Sequence, residues 1–373
     1  MPFLRTFKEF PATPQPWRPL DWDVTIHSRD PSTWHALEPM PAMHGHDCAP
    51  PPATHAVATY AEAVFLCNGH LMTALNANGY GVIYLTPGHL VDFSAGEASI
   101  RFDLSTQRTS PRDWIDLWVS PYAEHLQLPL EAWLPDLSGP PAHAVHVKME
   151  SLHGTTPFKG FVYRDFVEQD LGGDAATGYE SVLVPSATRR DTFELRLSRT
   201  HVQFGMPAYD LWWVDAEIAD LGWEQGVVQL GHHSYQPTRN CADCGPNTWH
   251  WDNVAISSAV PFTMLRADRR YVDSATEPAL RFPAPAPEDA RLRFAAVGRD
   301  IEVSFNGSAT WQPAQLQRQL RTNPARFQSY WTPVPAGTTR VAFRSLGVSG
   351  EPWLVRDVAI WALADPATIQ PPP

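Results

Sequence analysis

The sequence predicts an all-β protein, a large jelly roll or β-sandwich followed by a second, smaller β-sandwich. Three observations carry this. Helical periodicity is almost absent, whereas short apolar/polar alternations bounded by Gly, Pro, Asn and Asp recur along the chain. The 373 residues exceed one ordinary sandwich and suit a unit of roughly 250 residues joined to one of about 100. A hydrophobic share of 43% supplies material for two cores.

Taken in order, the prolines gathered at 11–19 and 31–52 mark an N-terminal segment wrapped over the surface rather than a central strand. Strand patterns follow at 57–66, 80–85, 98–104, 114–119, 143–151 and 160–167. In Phe193–Leu197 the apolar Phe193, Leu195 and Leu197 point one way while Glu194 and Arg196 point the other. The run 200–206 repeats the pattern after a short turn, which predicts a hairpin. Further strands are expected at 211–218, 226–231 and 248–257. A buried-looking strand ends near Ile256 and a new one begins at Phe262, so the boundary is set between units 1–261 and 262–373. In the second unit, 291–296 and 300–305 read as another hairpin, Gln312–Leu320 as a short helix, and 339–345 and 353–362 as strands. The two closing strands, 249–256 and 353–361, are alike in having an aromatic start, a central Asp and an apolar finish.

Charge is unevenly placed. Residues 1–261 hold 15 Lys+Arg against 30 Asp+Glu, and the remainder 13 against 10. An acidic large unit lacks the basic stripe that phosphate backbones and anionic membranes require, so no nucleic-acid or membrane partner is expected. No window of 18 apolar residues suits a bilayer span. The N-terminus lacks a basic-then-apolar leader, so the protein is cytoplasmic or its leader lies outside this sequence. Four cysteines, Cys48, Cys67, Cys241 and Cys244, sit in loop-like contexts and fit disulfides in an oxidising compartment, which favours secretion.

The turn at Asn68-Gly69-His70, the strands Phe102-Asp103-Leu104 and Trp114–Trp118, and the closing Trp251-Asp252-Asn253-Val254 give the large unit a fold-level resemblance. It resembles the concanavalin A-like lectin/glucanase superfamily of jelly rolls over about 50–260, and the small unit resembles accessory carbohydrate-binding β-sandwiches. The resemblance implies glycan binding or cleavage on a concave sheet, and often a structural calcium. The hydrolase branch usually carries Glu-x-Asp-x-x-Glu on one strand, and this chain has no such motif. Its nearest segment, Asp113-Trp-Ile-Asp116, spaces its carboxylates to opposite faces.

The densest constellation is 231–252, with His232, His233, Tyr235, Arg239, Trp249, His250 and Trp251. Indoles stack on the apolar face of a pyranose while His, Arg and Asn meet its hydroxyls, so these residues are candidate ligand-binding groups. The bland alternative is a long loop whose aromatics cover the core edge. Cys241 and Cys244 form a disulfide there, or half of a zinc site whose second CxxC is absent. Asp252 and Asn253 offer oxygen ligands to a structural Ca²⁺, or an Asx turn that satisfies backbone groups. His44 and His46 share a face of an extended segment, as metal ligands would, but a Pro-rich stretch is a poor preorganised site and a solvated loop explains them better. Asp215 and Glu217 share a face of the 211–218 strand beside Glu194, Arg196 and His201. A carboxylate pair held together divides into acid and base, though alternation is also what a solvated sheet shows. In the small unit Trp353 and Trp361 stand eight residues apart, an even step that puts both on one face as a ligand platform or an interface.

These features point to a glycan-binding protein of two β-sandwich units. Two alternatives stay open: a glycoside hydrolase or polysaccharide lyase on the same scaffold, using Asp215 and Glu217 or His233 and Tyr235, and a structural surface protein.

Overall fold

The computed structural model describes residues 2–7, 15–17, 22–28, 64–67, 69–74, 81–106, 113–122, 141–150, 158–173, 191–234, 248–269, 271–274, 278–298, 300–316, 328–347 and 353–363. The chain is all-β, as its alternation demands. It divides into two compact units, one built mainly from residues up to Val260 and the other mainly from Pro261 onward. Trp22 and Asp23 belong to the second unit despite their early place in the sequence.

The large unit is two antiparallel sheets. The first runs Leu211–Glu217, His201–Met206, Asp191–Leu197, Ala98–Thr106, Thr248–Ile256, His70–Ala74, Val64–Cys67 and Gln15–Pro16, with Phe3–Arg5 also beside Thr248–Ile256. The second runs Val167–Asp170, Phe158–Arg164, Ala144–Glu150, Asp113–Pro121 and Gln225–Ser234. Gly81–Pro87 and His89–Asp92 then pair along different lengths of Gln225–Ser234. The expected hairpin is present, Leu197 facing Val202 and Glu194 facing Gly205. Between the sheets Phe158 lies flat on Trp213 with ring centroids 3.5 Å apart, and Phe102, Phe193 and Phe204 surround them. A Cβ on Gly160 would lie 2.9 Å from both methyls of Val214, so the sheets there approach as closely as a missing side chain allows.

In the small unit one sheet contains Ala259–Arg266, Leu354–Leu363, Arg291–Val297, Gln328–Pro333 and Gln315–Leu316, and Tyr271–Asp273 pairs with Leu354–Leu363. The other contains Ala279–Arg281, Arg340–Ser345, Ile301–Phe305 and Gln312–Pro313. Two expectations are corrected here. Arg291–Val297 and Ile301–Phe305 are not a hairpin: each belongs to a different sheet. Their apolar positions, Leu292, Phe294 and Ala296 against Ile301 and Val303, meet in one core, and a short link with Gly298 at φ 134° carries the chain across. The segment expected as helix is instead extended over Gln312–Pro313 and Gln315–Leu316.

The likeness of the two closing strands has a structural counterpart. In Thr248–Ile256, Asp252 faces Asp103 and Ala255 faces Arg101, so three steps on one strand match two on the other. In Leu354–Leu363, Arg356 faces Ala295 and Ala359 faces Arg293, the same mismatch. Each strand thus carries one extra residue after or at its central Asp, a β-bulge. In the first, Asn253 adopts φ 48°. The bulge in the second explains why Trp353 and Trp361 do not share a face. The core takes Trp353 and Val355 before the extra residue, and Val358, Ile360 and Ala362 after it. Trp361 falls on the opposite face, fully buried against Phe262 and under Arg293, which pairs with Asp23. The platform expected from an even spacing is therefore absent.

Candidate functional site

Strand alternation gives the second sheet of the large unit two unlike faces. One is the inter-sheet core, with Ile115, Leu117, Val119, Val145, Val147, Met149, Phe158 and Val162 all buried. On the other, register places side chains in rows that cross the strands. One row reads Lys159, Lys148, Asp116, Gly231 and Tyr84. The next reads Phe161, His146, Trp118, Gln229 and Thr86. Trp114 and His233 are paired in a third.

Asp116 is the centre of this face. Its Oδ2 accepts from the indole N–H of Trp118 at 2.8 Å and meets His146 Nε2 at 3.1 Å. Its Oδ1 lies 2.9 Å from His233 Nε2. The carboxylate reaches His233 across Gly231, where a Cβ would stand 1.9 Å from Asp116 Oδ1 and 2.9 Å from both His233 Nε2 and Tyr84 Cε1. Only the hydrogen of glycine leaves that path open. Rings fix the two imidazoles from their flat sides: Trp118 stacks on His146 at 3.7 Å and 9°, and Trp114 on His233 at 4.7 Å and 1°. Tyr84 meets His233 edge-on, while Phe161 flanks His146.

Asp116, His146 and His233 are 1%, 5% and 0% exposed. Burial disfavours the Asp116 carboxylate, but the potential and hydrogen bonds of His233 and His146 more than offset it and hold its pKa well below the usual range. Burial pushes both histidines below their ordinary value, Asp116 opposing only in part. The cluster is thus one carboxylate facing two neutral imidazoles. An ionised carboxylate only accepts, so His146 carries its proton on Nε2 and presents Nδ1 as a lone pair. That Nδ1 is buried and makes no hydrogen bond. Tyr163, beside Trp118, donates to Glu168 at 2.8 Å, and burial together with that carboxylate raises its pKa, so the phenol stays protonated.

Of the residues selected from sequence, His233 belongs to this cluster. His232 points to the opposite, core side, where its Nδ1 and the indole N–H of Trp251 both meet Thr73 Oγ1 at 2.9 Å. Trp249 and Trp251 are buried there as well, so these three tie the two sheets together instead of lining a cleft. His250 lies on the other face of the first sheet, 5.6 Å from His70 and buried. Asp215 accepts from His201 at 2.7 Å and Gln203 at 3.1 Å on the exposed face of the first sheet. The hydrogen bond from His201 lowers its pKa. Glu217 faces His201 across the ladder. Asp215 and Glu217 are therefore on a different sheet from His233 and form no common site with it.

Asp252 Oδ1 accepts the backbone N–H groups of Phe7 and Asn253 at 3.0 and 2.9 Å, and the Asn253 amide donates to Asp103. The N-terminal segment thus brings donors to Asp252 where a calcium would need carbonyl oxygens. The residues do not fit a cation, and among the described residues no group of three or more His, Cys, Asp or Glu could hold a metal. Cys67 is buried in its strand and is not a free thiol. Tyr235, Arg239, Cys48, Cys241, Cys244, His44 and His46 lie outside the described residues.

Sequence reasoning missed Asp116, His146, Trp114 and Trp118. The signal was present: Trp114, Asp116 and Trp118 occupy alternate positions between Ile115, Leu117 and Val119.

The sequence matches no family model and no curated protein. Similar solved structures include LamAcat from Zobellia galactanivorans, with 10% identity, a TM-score of 0.42, and 69% of this chain and 96% of that chain covered. They also include SCLam, an endo-β-1,3(4)-glucanase from family GH16, with 11% identity, a TM-score of 0.38, and coverage of 68% and 89%. A third is the carbohydrate-binding module CBM66 from Bacillus subtilis, with 10% identity, a TM-score of 0.29, and coverage of 50% and 92%. At 10–11% identity and with TM-scores below 0.5, these likenesses assign neither a family nor a function to this chain.

Proposed function

We propose that the large unit binds glycan on the face of its second sheet that the core does not use. The observation that carries this reading is the interleaving of indole, phenol and imidazole rings with one fixed carboxylate on that face. Pyranoses present apolar C–H faces ringed by hydroxyls, so a site for them combines flat rings with a few oriented polar groups. Trp114, half-buried and stacked on His233, is the ring proposed to take the sugar, and the buried Asp116 fixes Trp118, His146 and His233 behind it.

A second reading, polysaccharide cleavage on the same face, is favoured by His146. With Nε2–H held by Asp116, its buried Nδ1 has the form a general base requires. One experiment separates the readings: the full chain is incubated with neutral and acidic polysaccharides, and retained protein and new reducing ends or unsaturated products are read together. Retention without product, weakened roughly tenfold by Trp114→Ala, is the expected result. Product that disappears in Asp116→Asn would replace binding with cleavage. Absence of both with every glycan would leave the structural-protein alternative.

The cysteines support an extracellular location as part of this proposal, with Cys48, Cys67, Cys241 and Cys244 paired as disulfides. Alkylation of the unfolded, unreduced chain is expected to label none of them, and labelling of all four would overturn the assignment.

A further inference from the structure

We propose that the solvent-facing side of the first sheet of the large unit is a second carbohydrate surface, which takes a neutral glycan along Trp212, Arg196 and Gln203. It lies on the other sheet from the Asp116 cluster and does not rest on the reading given for that cluster. Alternation turns Arg101, Glu194, Arg196 and Gln203 away from the core, which takes Phe102, Phe193, Leu195 and Phe204. The edge strand of this sheet, Leu211–Glu217, sets an indole on the same outward side. Phe204 faces Val214 and Gly205 faces Trp212, so Trp213 is an extra residue in the ladder. Trp213 and Val214, consecutive in sequence, are therefore both buried, while Trp212 turns outward and keeps part of its surface in solvent. A Cβ on Gly205 would stand 2.8 Å from Trp212 Cα and 2.9 Å from Trp212 Cε3, so only glycine lets the bulged strand and its indole lie this close. A half-exposed indole gains less from burial than one in the core, and folding alone gives no reason for the outward ring.

The polar groups beside Trp212 form one hydrogen-bonded chain across four strands. Asp215 accepts from His201 Nε2 at 2.7 Å and from Gln203 Nε2 at 3.1 Å, and Gln203 Oε1 accepts from Arg196 Nη1 at 3.3 Å. Arg196 Nη2 and Arg101 Nε then reach the two oxygens of Glu194 at 3.1 and 2.8 Å. The Arg196 guanidinium also lies 4.5 Å from the centroid of the Trp212 ring. Four strands cover three spacings, roughly 14 Å, the length of a short oligosaccharide rather than of one sugar. The Glu194 side chain is 2% exposed, whereas the Arg101 and Arg196 side chains it holds are 50% and 32% exposed. A buried ion pair seldom adds net stability over apolar residues of the same volume, so what Glu194 contributes is orientation of two guanidiniums that face solvent. Burial opposes its ionisation, but the hydrogen bonds and charges of Arg101 and Arg196 more than offset this and hold its carboxyl below the usual value.

The pairing within this chain sets the ligand class. Arg101 and Arg196 share Glu194, His201 meets Asp215, and Glu217 adds an exposed acid opposite His201. A polyanion gains little on a surface whose cations are already paired and whose rim is acidic. Hydroxyls need no net charge, because they accept from guanidinium and amide N–H groups and donate to carboxylate oxygens. A ring for the apolar C–H face and fixed donors and acceptors for the hydroxyls together suit an uncharged sugar.

The test is equilibrium binding of the full chain to a β-glucan, a xylan and a mannan, with a polyuronate as the charged control. Wild type is compared with Trp212→Ala, Trp212→Phe and Trp114→Ala, and hydroxyl-radical footprinting of the wild type, read by mass spectrometry, is run with and without each glycan. Expected is binding of a neutral glycan that falls on the order of tenfold in Trp212→Ala and is largely restored by Trp212→Phe, which keeps a ring. The bound glycan should also protect Trp212 from labelling, a readout that does not depend on any variant folding. A glycan that binds without protecting Trp212, and with undiminished affinity in Trp212→Ala, overturns this surface and leaves the Trp114 face standing. Binding lost in Trp212→Ala but kept in Trp114→Ala supports this surface and overturns the other. Preference for the polyuronate, lost in Trp212→Ala, overturns the neutral class. Failure of every glycan to bind overturns both faces.

Discussion

Asp116→Ala is expected to lower the unfolding free energy of the large unit by about 3 kcal/mol or more, since each buried donor left without its acceptor costs about 1–3 kcal/mol. The indole N–H of Trp118 and the ring N–H of His146 both end on this carboxylate, and His233 approaches its second oxygen. All are buried, so water does not replace the lost acceptor without opening the sheet face. The measurement is chemical denaturation of the full chain followed by tryptophan fluorescence. Gly231→Ala acts on the same cluster from the other side, driving a methyl into Asp116 Oδ1, and overpacking of this kind costs about 1–3 kcal/mol. Midpoints unchanged in both variants would mean that the cluster does not hold the sheet face together.

The second large effect is on acid stability. His146 and His233 have folded pKa values below the unfolded value of about 6.5, so below that pH the unfolded chain binds more protons. Their contribution is fully present above about pH 6.5 and is lost as pH falls toward the folded values. Asp116 is also depressed, so its contribution is present above the unfolded carboxylate value of about 3.9 and is lost below it. All three groups therefore act in one direction. The denaturation midpoint is expected to fall steadily from pH 7 to pH 5 and more steeply below pH 4. The first phase should shrink in His146→Gln, which keeps a donor for Asp116 but does not titrate. A midpoint flat between pH 7 and pH 5 would show that the buried histidines are already charged.

Most of the fold was legible because strand alternation is local. The strand expected at 114–119 is Asp113–Pro121, and the one at 339–345 is Arg340–Ser345. Pairing was less legible. Arg291–Val297 and Ile301–Phe305 have the alternation and spacing of a hairpin, but the choice between a shared sheet and facing sheets depends on where their apolar faces find partners. The site was the least legible part. His232 and His233 are neighbours in sequence and stand on opposite faces, so a local density of histidines said nothing of where each points. Asp116 stands three residues from Asp113, a spacing that suits no paired-carboxylate motif, so no local motif marks it. Its partners, His146 and His233, are 30 and 117 positions away and are brought to it only by the register of the Ala144–Glu150 and Gln225–Ser234 strands.

The extra residue in each closing strand works as a phase shift, much as an inserted base does in a reading frame. Upstream of Asn253 the odd-numbered Trp249 and Trp251 are buried, and downstream the even-numbered Val254 and Ile256 are. Deleting Asn253 would therefore not be equivalent to trimming a loop. It would put one half of the strand out of phase, turning either the two indoles or Val254 and Ile256 away from the core. The same holds at Asp357 and Val358 in the small unit. Both strands are buried on both faces over most of their described length, so a change of length exchanges one buried set of side chains for another and should not be tolerated.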